Sequence, residues 1–482
     1  MLTGRASGAG TVLALLGLGG SGAGLAAAAD RPLASVTAAP VVAAAVHGAQ
    51  GAGDPYFPHQ GNGGYDVGHY NLRLSYDPAT RHLRGKARIK AVTKKRLATF
   101  DLDFRRALQV TSVRVNKHAA AFTQPAALKQ ELVVRPSHPL PKGKTFVVVV
   151  RYAGTPKAVT DPDGSLEGWV ATKDGAFVVG EPQGSPGWFP CNDTPRDKAT
   201  YDFRVRVPHG LTAVANGDLV STRSKHGWTK FHWHNAEPMS TYLATATVGK
   251  FRVRTGVTPG GVPYYVALDP TVAKRARPVV DKLPAVTDYL ASLYGPYPFS
   301  STGAIVDHAP KVGYALETQT KPIYDSPPDE LTLAHEAAHM YFGDSVTLKK
   351  WRDIWLAEGF AEFSSWMWSE HSGDRTAQQF FNDNYKKKAK NSVWEPPPGR
   401  PGGPANLFSD SVYARGAMTL QALRVKLGDG PFFDLLRSWH AVHRHGNATE
   451  RGFRRYAENR TGVELTHFFK VWLVQPTKPT SW

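Results

Sequence analysis

The strongest constraint in this chain is the string HEAAH at residues 335–339, with Glu358 nineteen positions after its second histidine. Because residues four apart share one face of an α-helix, His335 and His339 can direct two imidazole nitrogens at one metal ion, with Glu336 beside them. Two histidines and a carboxylate leave one position of a tetrahedral zinc site open for water, as in hydrolytic sites. A core helix with two incidental histidines is the alternative. The pattern favours hydrolysis by zinc-bound water.

The surroundings of this motif carry a family resemblance. The string HEAAHMYFGDSVT, followed by WLAEGFAEF, resembles the gluzincin metallopeptidases of the aminopeptidase N type, which share their catalytic domain with leukotriene hydrolase. The resemblance implies that His335, His339 and Glu358 bind one zinc ion per chain and that Glu336 is the general base. Glu362, one helical turn after Glu358, is either a residue that orients a zinc ligand or a salt-bridged residue of the helix.

An aminopeptidase, unlike an endopeptidase, needs a device that holds a free α-amine. A cationic amine in a dry cleft requires anionic partners, because an unpaired buried charge is costly. The family supplies a glutamate from a GxMEN loop, and the string VGYALETQT places Glu317 at that position. Tyr314, Leu316 and Thr318 replace the family's glycine, methionine and asparagine. We expect amine binding to survive these changes, which bear on the shape of the first side-chain pocket.

The resemblance implies two more site residues. In GEPQGSPGWFPCNDTPRDKATYDF, residues 180–203, Glu181 falls on the second amine-binding position, although a glutamate before proline is otherwise typical of a solvated turn. In SVYARGAMTL, residues 411–420, Tyr413 falls on the family's catalytic tyrosine, whose hydroxyl stabilises the developing oxyanion. A lone tyrosine at a helix start is otherwise a core or rim residue. Arg415 replaces the family's lysine, which keeps the charge and changes the geometry.

The periodicity of the sequence predicts two kinds of domain. From about 54 to 255, short strands with period-two alternation are separated by turn signals, which favours a β-sandwich. After a Pro/Gly patch at 258–263, helical runs dominate. These runs are 271–294, 329–343, 352–370, 411–427, 430–442 and 464–474. We therefore predict a multidomain α+β chain, with an all-β sandwich at 54–255 and, as the resemblance implies, a thermolysin-like, mainly helical zinc peptidase domain at 256–482.

The first residues have the features of a targeting segment. Arg5 precedes an apolar, Gly-rich run, and the Ala-rich residues 26–29 end in a small-residue cleavage site. We therefore expect a signal peptide at 1–29, a disordered leader at 30–53 and a secreted protein. The apolar run is too short to span a bilayer, and no later stretch reaches the length of a transmembrane helix. The single cysteine, Cys191, excludes an intramolecular disulfide.

The charge of the chain raises the question of anionic partners. It has 58 Lys and Arg against 40 Asp and Glu, a net charge of +18. Basic clusters occur at 94–96 and 386–388, but no aromatic-interleaved nucleic-acid motif accompanies them, and solvated faces account for most such clusters. We therefore expect no nucleic-acid partner, a weak attraction to an anionic cell envelope and a monomer.

Three functional hypotheses remain at this stage. The first is a secreted, single-zinc aminopeptidase that acts on peptides with a free N-terminus. The second is an endopeptidase or a lipid-epoxide hydrolase on the same scaffold, and Glu317 and Glu181 argue against the endopeptidase because two carboxylates favour a terminal amine over an internal amide. The third is a catalytically silent binding protein, which the presence of Glu336 and Tyr413 argues against.

Overall fold

Apolar and polar side chains alternate along the long strands of the N-terminal half. The structure is a computed structural model and describes residues 44–128 and 130–482. In the second strand, Leu72 and Leu74 are buried and Arg73 between them is exposed, as in a strand with one face in the core. The strands of this half are β1 (Val46–His47), β2 (Tyr65–Asp77), β3 (His82–Thr93), β4 (Leu97–Asp103), β5 (Leu108–Val115), β6 (His118–Ala119), β7 (Ala121–Thr123), β8 (Glu131–Arg135), β9 (Thr145–Gly154), β10 (Val159–Thr160), β11 (Leu166–Ala171), β12 (Ala176–Val179), β13 (Ala199–Pro208), β14 (Thr212–Ala215), β15 (Asp218–Lys225), β16 (Trp228–Met239) and β17 (Ala246–Gly249).

Within the described residues, these strands form three sheets that share a core. The largest has the order β15-β16-β13-β2-β3-β9-β5-β6, the second β10-β11-β12-β17-β14 and the third β1-β4-β8-β7. Aromatic side chains of β2 contact both smaller sheets. Tyr65 lies 5.9 Å from Phe100 of β4, and Tyr76 lies 5.0 Å from Trp169 of β11, measured between ring centroids. The β-rich N-terminal domain that the sequence predicts is confirmed.

Helices predominate in the second half, together with a smaller sheet of order β18-β19-β20-β22-β21. Its strands, and a further short pair, are β18 (Arg252–Val257), β19 (Pro263–Leu268), β20 (Thr302–Val306), β21 (Ala315–Leu316), β22 (Ile323–Tyr324), β23 (Thr347–Leu348) and β24 (Asn447–Ala448). The helices are α1 (Ala273–Val280), α2 (Leu283–Tyr294), α3 (Glu330–Ala338), α4 (Trp355–His371), α5 (Ala377–Tyr385), α6 (Gly416–Leu427), α7 (Asp429–His443), α8 (Glu450–Thr461) and α9 (Thr466–Leu473). This order confirms the predicted fold class, a β-rich domain followed by a mainly helical peptidase domain.

The helices differ from the predicted runs in two respects. The run predicted at 271–294 is divided into α1 and α2, because Pro284 has no amide hydrogen to continue the first helix but fits the first turn of the second. α5 and α8 are absent from the predicted runs. α8 buries only Phe453 and Ala457, so few apolar residues indicate it in the sequence, although Thr449 caps its start and the left-handed Gly462 ends it.

Both expected domain limits fall near regular structure. Residues 44–53, expected in the disordered leader, include β1, which pairs in parallel with β4. The limit expected between residues 255 and 256 lies inside β18, whose partner β19 belongs to the second sheet. The signal peptide expected at 1–29 and the leader up to residue 43 lie outside the described residues. In the described part of the chain, no helix has both the length and the apolar character to cross a membrane.

Candidate active site

The HEAAH string lies at the C-terminal end of α3. The carboxylate of Asp329 caps the start of this helix and accepts a hydrogen bond from the amide of Thr332 at 2.7 Å. The opposite end carries His335 in its last turn, with His339 directly after it. The two imidazole rings lie on the same side of the helix, with 4.8 Å between their centroids.

α4 brings Glu358 against these two imidazoles. The Nε2 atoms of His335 and His339 lie 3.2 Å and 3.4 Å from Oε2 of Glu358. The ligand atoms of the three residues all lie within 4.8 Å of one another, and Glu358 is only 3% exposed. A carboxylate buried beside two imidazole nitrogens is the donor set that zinc takes in catalytic sites. His335, His339 and Glu358, here called the zinc-binding set, therefore fit a zinc ion.

The other ring nitrogen of each histidine contacts a group that orients it. Nδ1 of His339 lies 3.1 Å from the carbonyl oxygen of Phe342, to which it can donate a hydrogen bond. Nδ1 of His335 lies 3.4 Å from Oε2 of Glu362. A proton held on each Nδ1 leaves Nε2 free as a metal ligand. Of the two roles considered for Glu362, the contact with His335 supports the orienting one.

A close crossing of two glycines sets the distance between α4 and the segment that carries Tyr413. This segment, Ser411–Arg415, is a π-helical turn that leads into α6. A Cβ atom added at Gly359 would lie 2.9 Å from Cα of Gly416, and one added at Gly416 would lie 2.8 Å from Cα of Gly359. Any larger side chain would push the two helices apart. The crossing thus fixes Glu358 and Tyr413 relative to each other.

Glu336 lies beside the zinc-binding set and is itself buried. One carboxylate oxygen of Glu336 lies within 4.8 Å of ligand atoms of both His339 and Glu317. Burial raises the pKa of Glu336 to about 7, against the opposing effect of the two histidines. A pKa near neutrality suits a group that takes a proton and later returns it, as a general base does.

Two more carboxylates lie beside the zinc-binding set, one from each domain. Glu181 follows β12, and Glu317 follows β21. Their oxygens and one of Glu358 lie within 4.8 Å of one another. Oε1 of Glu181 and Oε1 of Glu317 are buried, and neither has a hydrogen-bond partner among the residues that the structure describes. Burial and the neighbouring Glu317 raise the pKa of Glu181 well above its usual range. Buried acceptors without donors are suited to a ligand that brings donors of its own, such as an ammonium group.

Tyr413 faces the zinc-binding set from the π-helical turn. Its ring stacks near that of His335, with 5.8 Å between the centroids. In the described part of the chain, no residue hydrogen-bonds the Tyr413 hydroxyl. Burial, and then the charge of Glu358, raise the pKa of Tyr413 well above its usual range. The hydroxyl therefore keeps its proton and can donate a hydrogen bond.

These groups line one cavity of about 550 Å³. No lysine or arginine of residues 44–128 and 130–482 contributes to its wall. Sequence reasoning missed Asp163 and Ser165 of the turn between β10 and β11, and also Phe408, all of which line the cavity. Each lies in a loop with no local motif. Only the tertiary fold brings these residues to the site, so the sequence contains no signal for them.

The four departures from the family pattern have distinct positions. Tyr314 lines the cavity, and its hydroxyl donates to the carbonyl oxygen of Leu166 at 2.9 Å, which joins the two domains at the cavity wall. Leu316 lines the cavity as well. Thr318 points away and donates to a backbone carbonyl. Arg415 is fully buried and donates to backbone carbonyl oxygens, including that of Gln475 at 2.7 Å, so its role is to hold the end of α9.

Comparison with protein families gives two matches. The model described as the peptidase M1 N-terminal domain matches residues 67–243, and the model described as the peptidase family M1 domain matches residues 315–472. Together they match more than half of the chain. The first match runs from Val67 in β2 to Leu243, shortly before β17, and the second contains the zinc-binding set, Glu317 and Tyr413.

Individual relatives agree with these matches. The chain is 25% identical to human "Endoplasmic reticulum aminopeptidase 1" over 414 residues, which cover 79% of this chain and 44% of that protein. It is 26% identical to "Aminopeptidase N" of Lactococcus lactis subsp. lactis over 322 residues, 60% of this chain and 38% of that one. The chain therefore spans less than half the length of these curated relatives.

Solved structures match along their whole length. The M1 zinc metallopeptidase of Deinococcus radiodurans, in a mutant form bound to a Tyr-Ser-Ala substrate, is 28% identical with a TM-score of 0.82. The match covers 89% of this chain and 100% of that one. A two-domain M1 zinc metallopeptidase mutant bound to L-arginine has a TM-score of 0.81 at 28% identity, with the same coverage.

The glycine crossing yields a stability prediction. Gly359→Ala should lower the free energy of unfolding by about 1–3 kcal/mol, because the new methyl group overlaps the backbone of Gly416. Gly430→Ala is the matched control, since Gly430 lies in α7 with no atom within 4 Å of its added Cβ. This control should equal wild type or gain up to about 1 kcal/mol from helix propensity. Denaturant unfolding measures both, and equal stability of the two variants would contradict the crossing.

Proposed function

The chain belongs to peptidase family M1, and from this membership we propose that it is a zinc-dependent aminopeptidase that hydrolyses the first bond of peptides with a free N-terminus. The observation that carries the proposal is the pair of buried carboxylates beside the zinc-binding set, Glu181 and Glu317, each with one oxygen that accepts no hydrogen bond from the described residues. A peptide's terminal ammonium supplies the missing donors and the missing positive charge. The relative that holds a Tyr-Ser-Ala substrate supports a short peptide as the ligand of this cavity.

The position of the amine determines which bond is cut. Oxygens of Glu181, Glu317 and Glu358 lie within 4.8 Å of one another, so the amine is held close to the zinc-binding set. In a peptide, one carbon atom separates the terminal nitrogen from the first carbonyl carbon. Only the first carbonyl can therefore lie at the zinc-binding set while the amine contacts Glu181 and Glu317.

Each residue of the site then has a defined part in the reaction. His335, His339 and Glu358 would hold a zinc ion, which when bound would supply Lewis acidity at the carbonyl and lower the pKa of a water molecule. Glu336 takes the proton of the attacking water and returns it to the leaving amine. The Tyr413 hydroxyl donates a hydrogen bond to the carbonyl oxygen as negative charge develops on it.

The alternative activities fit the cavity less well. An internal peptide segment has no ammonium group, so an endopeptidase substrate would leave Glu181 and Glu317 buried without donors, at a cost of about 1–3 kcal/mol for each. An epoxide has no positive charge either. A silent binding protein needs neither a general base beside the zinc-binding set nor a free tyrosine hydroxyl above it. We therefore retain the aminopeptidase as the proposal.

We also propose that the protein is secreted. The support is the order of Arg5, the apolar run after it and the alanines at 26–29, which is typical of a signal peptide. We predict that the mature protein is found outside the expressing cell with an N-terminus close to residue 30. Fractionation and N-terminal sequencing measure this. Full-length protein retained inside the cell would overturn the proposal.

The activity itself is tested with aminoacyl-anilides. We expect hydrolysis of substrates with a free amine, loss of activity with a chelator and recovery on addition of zinc. Glu336→Gln should lower kcat about 10²–10⁴-fold while zinc stays bound, because the general base is lost and the ligands are intact. N-acetylated analogues should remain uncut, and their hydrolysis at an equal rate would exclude the aminopeptidase.

Removal of one amine-binding carboxylate should change binding more than turnover. Glu317→Gln keeps the size of the side chain and loses its charge, so we expect a fall in kcat/KM of about 10–100-fold, mostly from a higher KM. Glu330→Gln is the matched control, because Glu330 is at the start of α3, pairs with Lys282 at the surface and does not line the cavity. A normal KM in Glu317→Gln would show that this carboxylate does not bind the amine.

A further inference from the structure

The outward face of the largest sheet carries a row of cations in cross-strand register. Arg204 of β13 pairs with Arg73 of β2, Arg73 with Lys86 of β3, and Lys86 with Arg151 of β9. His232 of β16 continues the row beyond Arg204. Because neighbouring strands lie about 4.8 Å apart, four cationic side chains stand side by side over roughly 14 Å. We call these four residues, Arg204, Arg73, Lys86 and Arg151, the cationic row.

Three of the four residues of the cationic row have no acid close enough to form an ion pair. Among the residues that the structure describes, no carboxylate lies within 4.0 Å of the charged groups of Arg73, Lys86 or Arg151. The fourth, Arg204, lies 3.9 Å from Asp202, which also accepts a hydrogen bond from His232 at 2.7 Å. Like charges directly opposite each other on neighbouring strands are destabilising. The free chain therefore bears a cost that an anion on this face would remove.

A groove lies beside one end of the row. It has a volume of about 540 Å³, and its wall in the described structure contains cations, small polar residues and two valines, without a carboxylate or an aromatic ring. The cations are Lys86, Arg88, Arg114, Lys117 and Arg151. Arg88 and Arg114 both pair with Val149 of β9, so they stand on either side of that strand. Five cations thus converge on one concave surface.

The pKa of Lys86 responds to the neighbouring positive charges. Partial burial, and then the positive charges of Arg151, Arg73 and Arg88, lower its pKa. A negative group in the groove would reverse the effect of the three guanidinium groups. The same groups that repel Lys86 are free to bind phosphate oxygens, to which guanidinium groups present paired donors.

We propose that this groove and the cationic row bind a linear anionic polymer of the cell envelope that carries phosphate groups in its backbone. The width of the row favours an extended chain over a single small anion. Recognition of bases in a nucleic acid uses aromatic stacking, for which the wall offers no ring. A flat membrane surface would not reach the floor of a concave groove. The groove and the cationic row would account for the attraction to an anionic cell envelope that the net charge predicts. The proposal does not depend on the peptidase activity.

The test compares two variants that lose the same charge. The first is Lys86→Gln, Arg88→Gln, Arg151→Gln, and the control is Lys386→Gln, Lys387→Gln, Lys388→Gln, an exposed basic run outside this face. The probe is poly(glycerol phosphate), titrated into the full protein at several salt concentrations. We expect at least a tenfold weaker Kd in the groove variant and a salt slope lower by about 2, since three phosphate contacts are lost. The control should stay within twofold of wild type.

Three outcomes would overturn the proposal. One is an equal loss of affinity in both variants, which would mean that net charge alone attracts the polymer. Another is tighter binding of single-stranded DNA or of vesicles with anionic lipid than of poly(glycerol phosphate). The third is a lower melting temperature of the groove variant without polymer, because the relief of like-charge repulsion should leave it equal or higher. Peptidase activity of both variants should match wild type, which separates this test from that of the proposed function.

Discussion

The active site depends on the mutual repulsion of four buried glutamate side chains. These are Glu181, Glu317, Glu336 and Glu358. In the described structure, two histidines are the only basic residues on the wall of their cavity. Carboxylates so close together and so far from water repel one another, and burial penalises the charge of each. A dication and an ammonium group relieve this repulsion. The negative charge of the cluster is thus sufficient to offset both the metal ion and the substrate amine.

Such a cluster holds its geometry only if the elements that carry it are fixed from outside. Glu181 belongs to the β-rich domain and Glu317 to the second, so the amine site exists only while the domains stay together. The half-buried Lys198, just before β13, donates to the carbonyl oxygens of Asp344 and Ser345 at 2.7 and 3.0 Å, a few residues after His339. Asn216 donates to the carbonyl oxygen of Gln319 at 2.8 Å, two residues after Glu317. Hydrogen bonds across the domain junction thus hold the two domains together close to the site.

The sequence predicts the parts of the site that depend on local helix geometry or on family motifs. It does not predict the parts that depend on tertiary contacts. The spacing of HEAAH predicts the shared face of α3 because helical geometry is local, and the family resemblance supplied Glu358, Glu317 and Tyr413 for the same cavity. Asp163 and Phe408 could not be predicted, since loops from distant parts of the chain bring them there. The cationic row could not be predicted from the sequence either. Its members are up to 131 positions apart, and only the strand register places Arg73 beside Arg204.

The two charged regions explain why net charge is a poor guide to the ligand of this protein. The chain carries +18 overall, and yet its cavity wall is acidic. The outward sheet face has the opposite sign. At physiological ionic strength, exposed charges are screened over about 8 Å, so each region acts on what lies next to it and not on what the whole molecule attracts. A polymer on the sheet face would hold the enzyme at a surface while the cavity stays available to peptide termini. Strand register and loop closure set the sign of the charge at each of the two sites. That local sign, and not the net charge of the chain, determines which partner the site can bind.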